Sequence, residues 1–94
     1  MTDALIQQAR PLVFPAFRVG KDDPFLAERL VRLGVGGFCL YKGRAGELAR
    51  LTRRLQRLAR IPLLCCADYE DGTASHVQGG TLFPSNMALA AAGQ

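Results

Sequence analysis

At 94 residues the chain has room for one small domain, and an apolar fraction of 49% against 21% charged residues excludes wholesale disorder. Twelve Lys and Arg against eight Asp and Glu leave a net charge of +4, a balance that suits a nucleic-acid binder and an ordinary soluble protein equally well. No apolar run approaches the ~18 residues of a membrane span. The start, Met1-Thr2-Asp3-Ala4, lacks the basic and apolar regions of a signal peptide, so a cytoplasmic location with no membrane partner is the expectation.

In chain order, Ala4 to Ala9 is a short helix candidate with Leu5 and Ile6 as apolar contacts. The run Pro11 to Phe17 is apolar and rich in strand formers, which predicts a first strand, although Pro15 has no N–H to give a ladder. Arg18 to Asp22 reads as a loop. Asp23 is then a good N-cap, Pro24 suits the first helical position, and Gly34 suits a left-handed cap. Between them Leu26, Leu30 and Leu33 mark the expected apolar stripe. Gly36 to Tyr41 is nearly all apolar, the pattern of a strand in a sheet covered on both faces.

The second helix signal, Ala45 to Arg60, is the clearest. Leu48, Leu51, Leu55 and Leu58 share one face, and most of the arginines share the other. Glu47 is placed to pair with Arg50 one turn on. The Ile61-Pro62 pair ends the helix, because the residue before a proline disfavours helical geometry. Leu63 to Ala67 is a third apolar strand. From Asp68 to Phe83 the composition turns polar, with Gly72, Gly79 and Gly80, and reads as a long loop. Ser85 then caps a helix over 86–92.

Strands joined by helices at this spacing imply right-handed crossovers and a parallel sheet, whose chemistry sits at the carboxyl ends of the strands. The loop that opens at Asp68 leaves from such an end. The fold class is α/β, and its pattern is that of the first three βα units of a TIM-type (β/α)8 barrel, which needs about 250 residues in full.

Asp68, Glu70 and Asp71 form an acidic cluster there. Two carboxylates about 5–9 Å apart can perform glycoside hydrolysis, while the plainer reading makes these residues turn and cap groups. His76, the single histidine, could serve as a base or ligand, but nothing sits near it at metal-ligand spacing. No metal or cofactor is expected. Cys39, Cys65 and Cys66 lie in apolar runs and read as buried reduced thiols; neighbouring Cys65 and Cys66 point to opposite faces of a strand. The arginine helix carries no interleaved aromatics, so nucleic acid is not an expected partner.

A resemblance joins these pieces. Leu33-Gly34-Val35-Gly36-Gly37-Phe38 resembles the second-strand entry of glycoside hydrolase family three. Pro62 to Gly72 is similar to that family's third strand, which ends Asp-x-Glu-Gly-Gly. Thr81 to Ala90 is similar to its Thr-x-Phe-Pro-Ser-x-Met-Ala-Leu segment, and Leu12 to Arg18 suits its first strand. The order and spacing hold across nearly the whole chain, and the β-N-acetylhexosaminidase and β-glucosidase subgroup looks nearest.

The resemblance implies a retaining β-glycosidase and a carbohydrate substrate. Residues 1–94 would be the N-terminal segment of its barrel. It carries over a sugar-binding role in the −1 subsite onto Asp68 and a loop-shaping role onto Glu70; His76 stands near a position where hexosaminidases often have a sugar-contacting arginine. Asp71 replaces the usual glycine. The nucleophile and acid/base are expected downstream of Gln94, which leaves no catalytic residue to assign here and makes the isolated chain an expected non-catalyst. The alternative is a non-catalytic sugar-binding or interaction module derived from that fold.

Overall fold

The computed structural model describes residues 2–93 as four α-helices and a three-stranded sheet. Helix α1 (Asp3–Ala9) is capped by Thr2, whose hydroxyl accepts from the Leu5 N–H, and runs into a 3₁₀ turn at Arg10–Leu12. Strand β1 (Ala16–Arg18) follows, then α2 (Pro24–Leu33), β2 (Gly37–Tyr41), α3 (Ala45–Leu58) and β3 (Leu64–Cys66). A second 3₁₀ turn, Thr73–Ser75, sits in the long loop before α4 (Asn86–Ala91).

The sheet is parallel throughout, in the order β1-β2-β3. Phe17, Phe38, Leu40 and Leu63 on one face pack with Ala27 and Val31 of α2 and with Leu51 and Leu55 of α3. Phe17 and Phe38 meet edge to face, with ring centroids 6.3 Å apart. An ion pair from Arg54 to Glu28 joins α3 to α2 at 2.6 Å. Between α3 and β3, Gln56 stands in for a strand: its Oε1 accepts from the Leu63 N–H at 2.8 Å and its Nε2 donates to the Leu63 carbonyl at 2.9 Å.

The structure corrects several expectations. The apolar run from Pro11 is not one strand. Its first residues coil into the 3₁₀ turn, and only Ala16–Arg18 enters the sheet. Pro15 is tolerated because it works solely as an acceptor, its carbonyl taking the Cys39 N–H at 3.0 Å. In α2 the buried face is Ala27 and Val31, with Leu30 partly buried, whereas Leu26 and Leu33 are about half exposed. Ala27 and Val31 sit in the core cluster, which leaves Leu26 and Leu33 at its margin. Glu47 accepts from the Arg44 N–H at 3.2 Å at the start of α3 instead of pairing with Arg50.

The expected two-sided cover is also absent among the described residues. All three residues of β3 are exposed, so Cys65 and Cys66 are not buried thiols, and Cys39 is half-buried. A continuous apolar strand with no strand on its far side leaves a hydrogen-bonding edge that Gln56 covers only at Leu63. The leucine stripe of α3, the helix caps and the parallel order of the strands follow expectation. Asp23 accepts from the Phe25 N–H at 2.9 Å, Gly34 adopts φ 101°, and Ser85 caps α4. No helix among the described residues is long and apolar enough to cross a membrane.

Candidate functional site at the carboxyl ends of the strands

Alternation along the strands decides which side chains meet. Phe17, Phe38 and Leu40 face the helices. Arg18, Cys39 and Tyr41 therefore share the other face, and Arg18 stands beside Tyr41 in register. Asp68, two residues past the end of β3, lies next to Tyr41. The Tyr41 O–H donates to Asp68 Oδ2 at 3.3 Å, and the Cys39 S–H donates to Tyr41 Oη at 3.3 Å. A thiol, a phenol and a carboxylate thus form one polar chain across two strands.

The chain marks Tyr41 electrostatically. The hydrogen bond with Cys39, followed by the negative charge of Asp68, pushes the phenol up to about 12. Tyr41 therefore stays a neutral donor at ordinary pH and keeps one oxygen of Asp68 oriented. The other oxygen is unconstrained by Tyr41, and a carboxylate offers about four acceptor positions in all.

The loop from Asp68 folds back over this end. Gln78 pairs with Arg44 as an isolated parallel bridge: its N–H donates to the Gly43 carbonyl at 2.9 Å, and its carbonyl accepts from the Ala45 N–H at 3.1 Å. Gly43 has φ 93°, and a Cβ there would meet Val19 at 2.7 Å, so this close approach requires glycine. Lys42 just before it also takes a left-handed φ of 63°. The docked loop buries Val77 and stands His76 edge-on to Tyr41, with ring centroids 5.1 Å apart. Tyr69 packs on the other side of His76 at 6.3 Å. His76 Nδ1 and Ser75 Oγ are buried without a hydrogen-bond partner among the described residues.

Of the residues singled out from sequence, Asp68 and His76 converge on Tyr41, Asp68 from the start of the loop and His76 from its middle. Glu70 does not join them: it is exposed in the turn that the Gly72 N–H closes onto the Tyr69 carbonyl at 3.0 Å. Tyr41 itself escaped the sequence reading. Its signal was a hydroxyl at the last position of an otherwise apolar parallel strand, the place where such sheets put their chemistry. Arg18 ends β1 on the same face, but Asp22 holds it. Two hydrogen bonds tie Asp22 Oδ1 to Arg18 Nη2 at 2.7 Å and Asp22 Oδ2 to the Arg18 N–H at 2.8 Å. A groove of about 450 Å³ opens at the opposite end of the sheet between Arg10, Gly34 and Pro62. It lies at the amino ends of the strands, and its charged groups are Arg10, Arg32 and Arg60 with no carboxylate, phenol or imidazole among them, so the Tyr41–Asp68 end is the better candidate.

No protein-family model matches the sequence. A β-N-acetylglucosaminidase/β-glucosidase of Cellulomonas fimi is 43% identical over 72 residues. The chain is related to a glycoside hydrolase. The matched stretch is 76% of this chain and 13% of the relative, so the chain spans a small part of that protein's length.

Proposed function

We propose that residues 1–94 are the N-terminal part of a retaining β-glycosidase of family three, the first three βα units of its (β/α)8 barrel. The substrate class is a β-N-acetylglucosaminide or β-glucoside. Asp68 accepts hydrogen bonds from two sugar hydroxyls in the −1 subsite. The observation that carries this reading is the position of Asp68: at the carboxyl end of a parallel strand, with one oxygen already engaged by Tyr41. The similarity to the Cellulomonas fimi protein supports the same chemistry.

Physically, a carboxylate suits the role because charge-assisted hydrogen bonds to hydroxyls are short, strong and directional. Holding the sugar ring in one orientation before reaction lowers the entropy still to be lost at the transition state. Tyr41 is a positioning residue for that carboxylate, and His76 backs Tyr41. Glu70 shapes the turn. The nucleophile and acid/base come from outside these residues, which fits the small share of the relative that the chain spans. The chain alone then binds sugar weakly and turns over nothing.

Saturation-transfer NMR on the full chain with N-acetylglucosamine and with glucose tests this. A weak signal from the sugar that Asp68→Asn removes supports the reading. Absence of any signal, or an equal signal in the variant, counts against it. Hydrolysis of a chromogenic β-glucoside with a bell-shaped pH profile would overturn the assignment of the catalytic pair elsewhere.

A further inference from the structure

We propose that Cys39 and Cys66 form a paired dithiol, a modification site at which a low-molecular-weight disulfide such as oxidised glutathione closes a covalent bond between β2 and β3. The two residues are register partners on neighbouring parallel strands. Their Cα atoms are therefore about 4.8 Å apart, the spacing of adjacent strands. That falls within the roughly 4.4–6.8 Å that a disulfide spans. Register partners also point to the same side of a sheet.

The sulfur positions agree. Cys66 Sγ lies 3.6 Å from the carbonyl of Phe38, the residue before Cys39, so it leans across toward β2. Cys39 Sγ is held on that face by Tyr41. Cys66 is exposed, which gives an incoming disulfide access, and Cys39 is half-buried beside it, so Cys66 takes the first exchange and Cys39 the second. Cys65 is the built-in contrast. It pairs in register with Phe38, whose side chain packs with the helices, and so points to the other face.

The chemistry balances. The Cys66 thiolate attacks one sulfur of oxidised glutathione, forms a mixed disulfide and releases one reduced glutathione. The Cys39 thiolate then attacks the Cys66 sulfur and releases the second. Two protein thiols are oxidised, one glutathione disulfide is reduced, and the two protein protons end on the departing thiols. Such desolvation as Cys66 does undergo, and the neighbouring Cys39, push its thiol above the ordinary value, so thiolate is scarce at neutral pH, the first attack is slow there, and it quickens as the buffer is made alkaline. Closure takes the Cys39 S–H away from Tyr41. The chemistry needs the face opposite the helices to be open to solvent, as it is at Cys66 in this chain, and its test contains no sugar.

The test uses two variants of the full chain, Cys65→Ser and Cys66→Ser, each exposed to oxidised glutathione and followed by intact mass. The expected result is that Cys65→Ser loses two hydrogens and carries no glutathione, while Cys66→Ser stays as a glutathione adduct, its closure slower by at least about tenfold. In guanidinium the two variants should close at rates within roughly twofold, because their loops differ by one residue. Equal rates in native buffer, or a Cys65→Ser chain that stops at the mixed disulfide, would overturn the proposal.

Discussion

Tyr41 and Asp68 meet across the gap between two parallel strands, the phenol donating to the carboxylate over 3.3 Å. They are 27 residues apart in sequence, and the β2-α3-β3 crossover brings them together. Tyr41 is the last residue of β2, and Asp68 leaves β3 just beyond Cys66. The contact therefore depends on register: a slip by one residue would turn one partner to the helix side.

The Cys39–Tyr41 bond should be visible in titration. Tyr41 ionises at about 12 against an ordinary 10.0, chiefly through Cys39. Because the folded state raises this value, the associated stability is present below pH 10 and is lost as pH rises toward 12. Ultraviolet absorbance of tyrosinate should show a late step that is missing in Tyr41→Phe and moved toward lower pH in Cys39→Ala. An unmoved step in Cys39→Ala would contradict the assigned cause.

Asp22 behaves in the opposite sense. Hydrogen bonds from the Arg18 guanidinium and N–H hold its carboxyl below the usual range. Its contribution to stability is present above the ordinary carboxylate value and fades as pH falls toward the lowered one. Both groups are open to solvent, so the effect on stability is small. Carboxyl NMR should find Asp22 titrating low in the native chain and higher, toward the ordinary value, in Arg18→Ala.

The buried face of α2 gives a stability prediction. Val31→Ala removes two methyl groups from the core and should cost about 2 kcal/mol, transfer and cavity together. Leu26→Ala deletes a larger side chain but one that is 47% exposed, and should cost less than about 1 kcal/mol. Urea unfolding of both variants would show which residues face the core, and the reverse order would restore the stripe expected from leucine spacing.

The outer edge at β3 should govern association. Leu64 is 67% exposed on a strand that has no strand beyond it and whose outer edge Gln56 covers only at Leu63. A lysine there is the charge that edge strands use to discourage pairing. Leu64→Lys should keep the chain monomeric at concentrations where the parent self-associates, as measured by analytical ultracentrifugation. Equal association of the two would place the sticky surface elsewhere, for instance at Met87 of α4, which is 83% exposed.

Much of this arrangement could be read from residue pattern. The Asp23-Pro24 start, the Gly34 stop and the leucines of α3 are local signals, each fixed by a cap, a backbone angle or a helical period. The parallel sheet followed from apolar strands separated by helices. Failures came where tertiary contact overrode the local signal. Leucine spacing in α2 pointed to the wrong face because Ala27, the smallest candidate, is the residue buried in the core, beside Val31. Three cysteines in apolar runs looked buried, yet an apolar strand is buried only if something covers it. For the site, composition marked Asp68 and His76, but only the loop docking through Gln78 brings His76 back to Tyr41.

The most direct check on a carbohydrate site at this end of the sheet is a two-dimensional ¹H–¹⁵N NMR titration of the full chain with N-acetylglucosamine. Binding at Asp68 should shift the amides of Tyr41, Asp68 and His76 together, with one dissociation constant, and Asp68→Asn should weaken it by at least about tenfold, or 1.4 kcal/mol. Shifts confined to the groove near Arg10 and Pro62, or unchanged affinity in the variant, would contradict it.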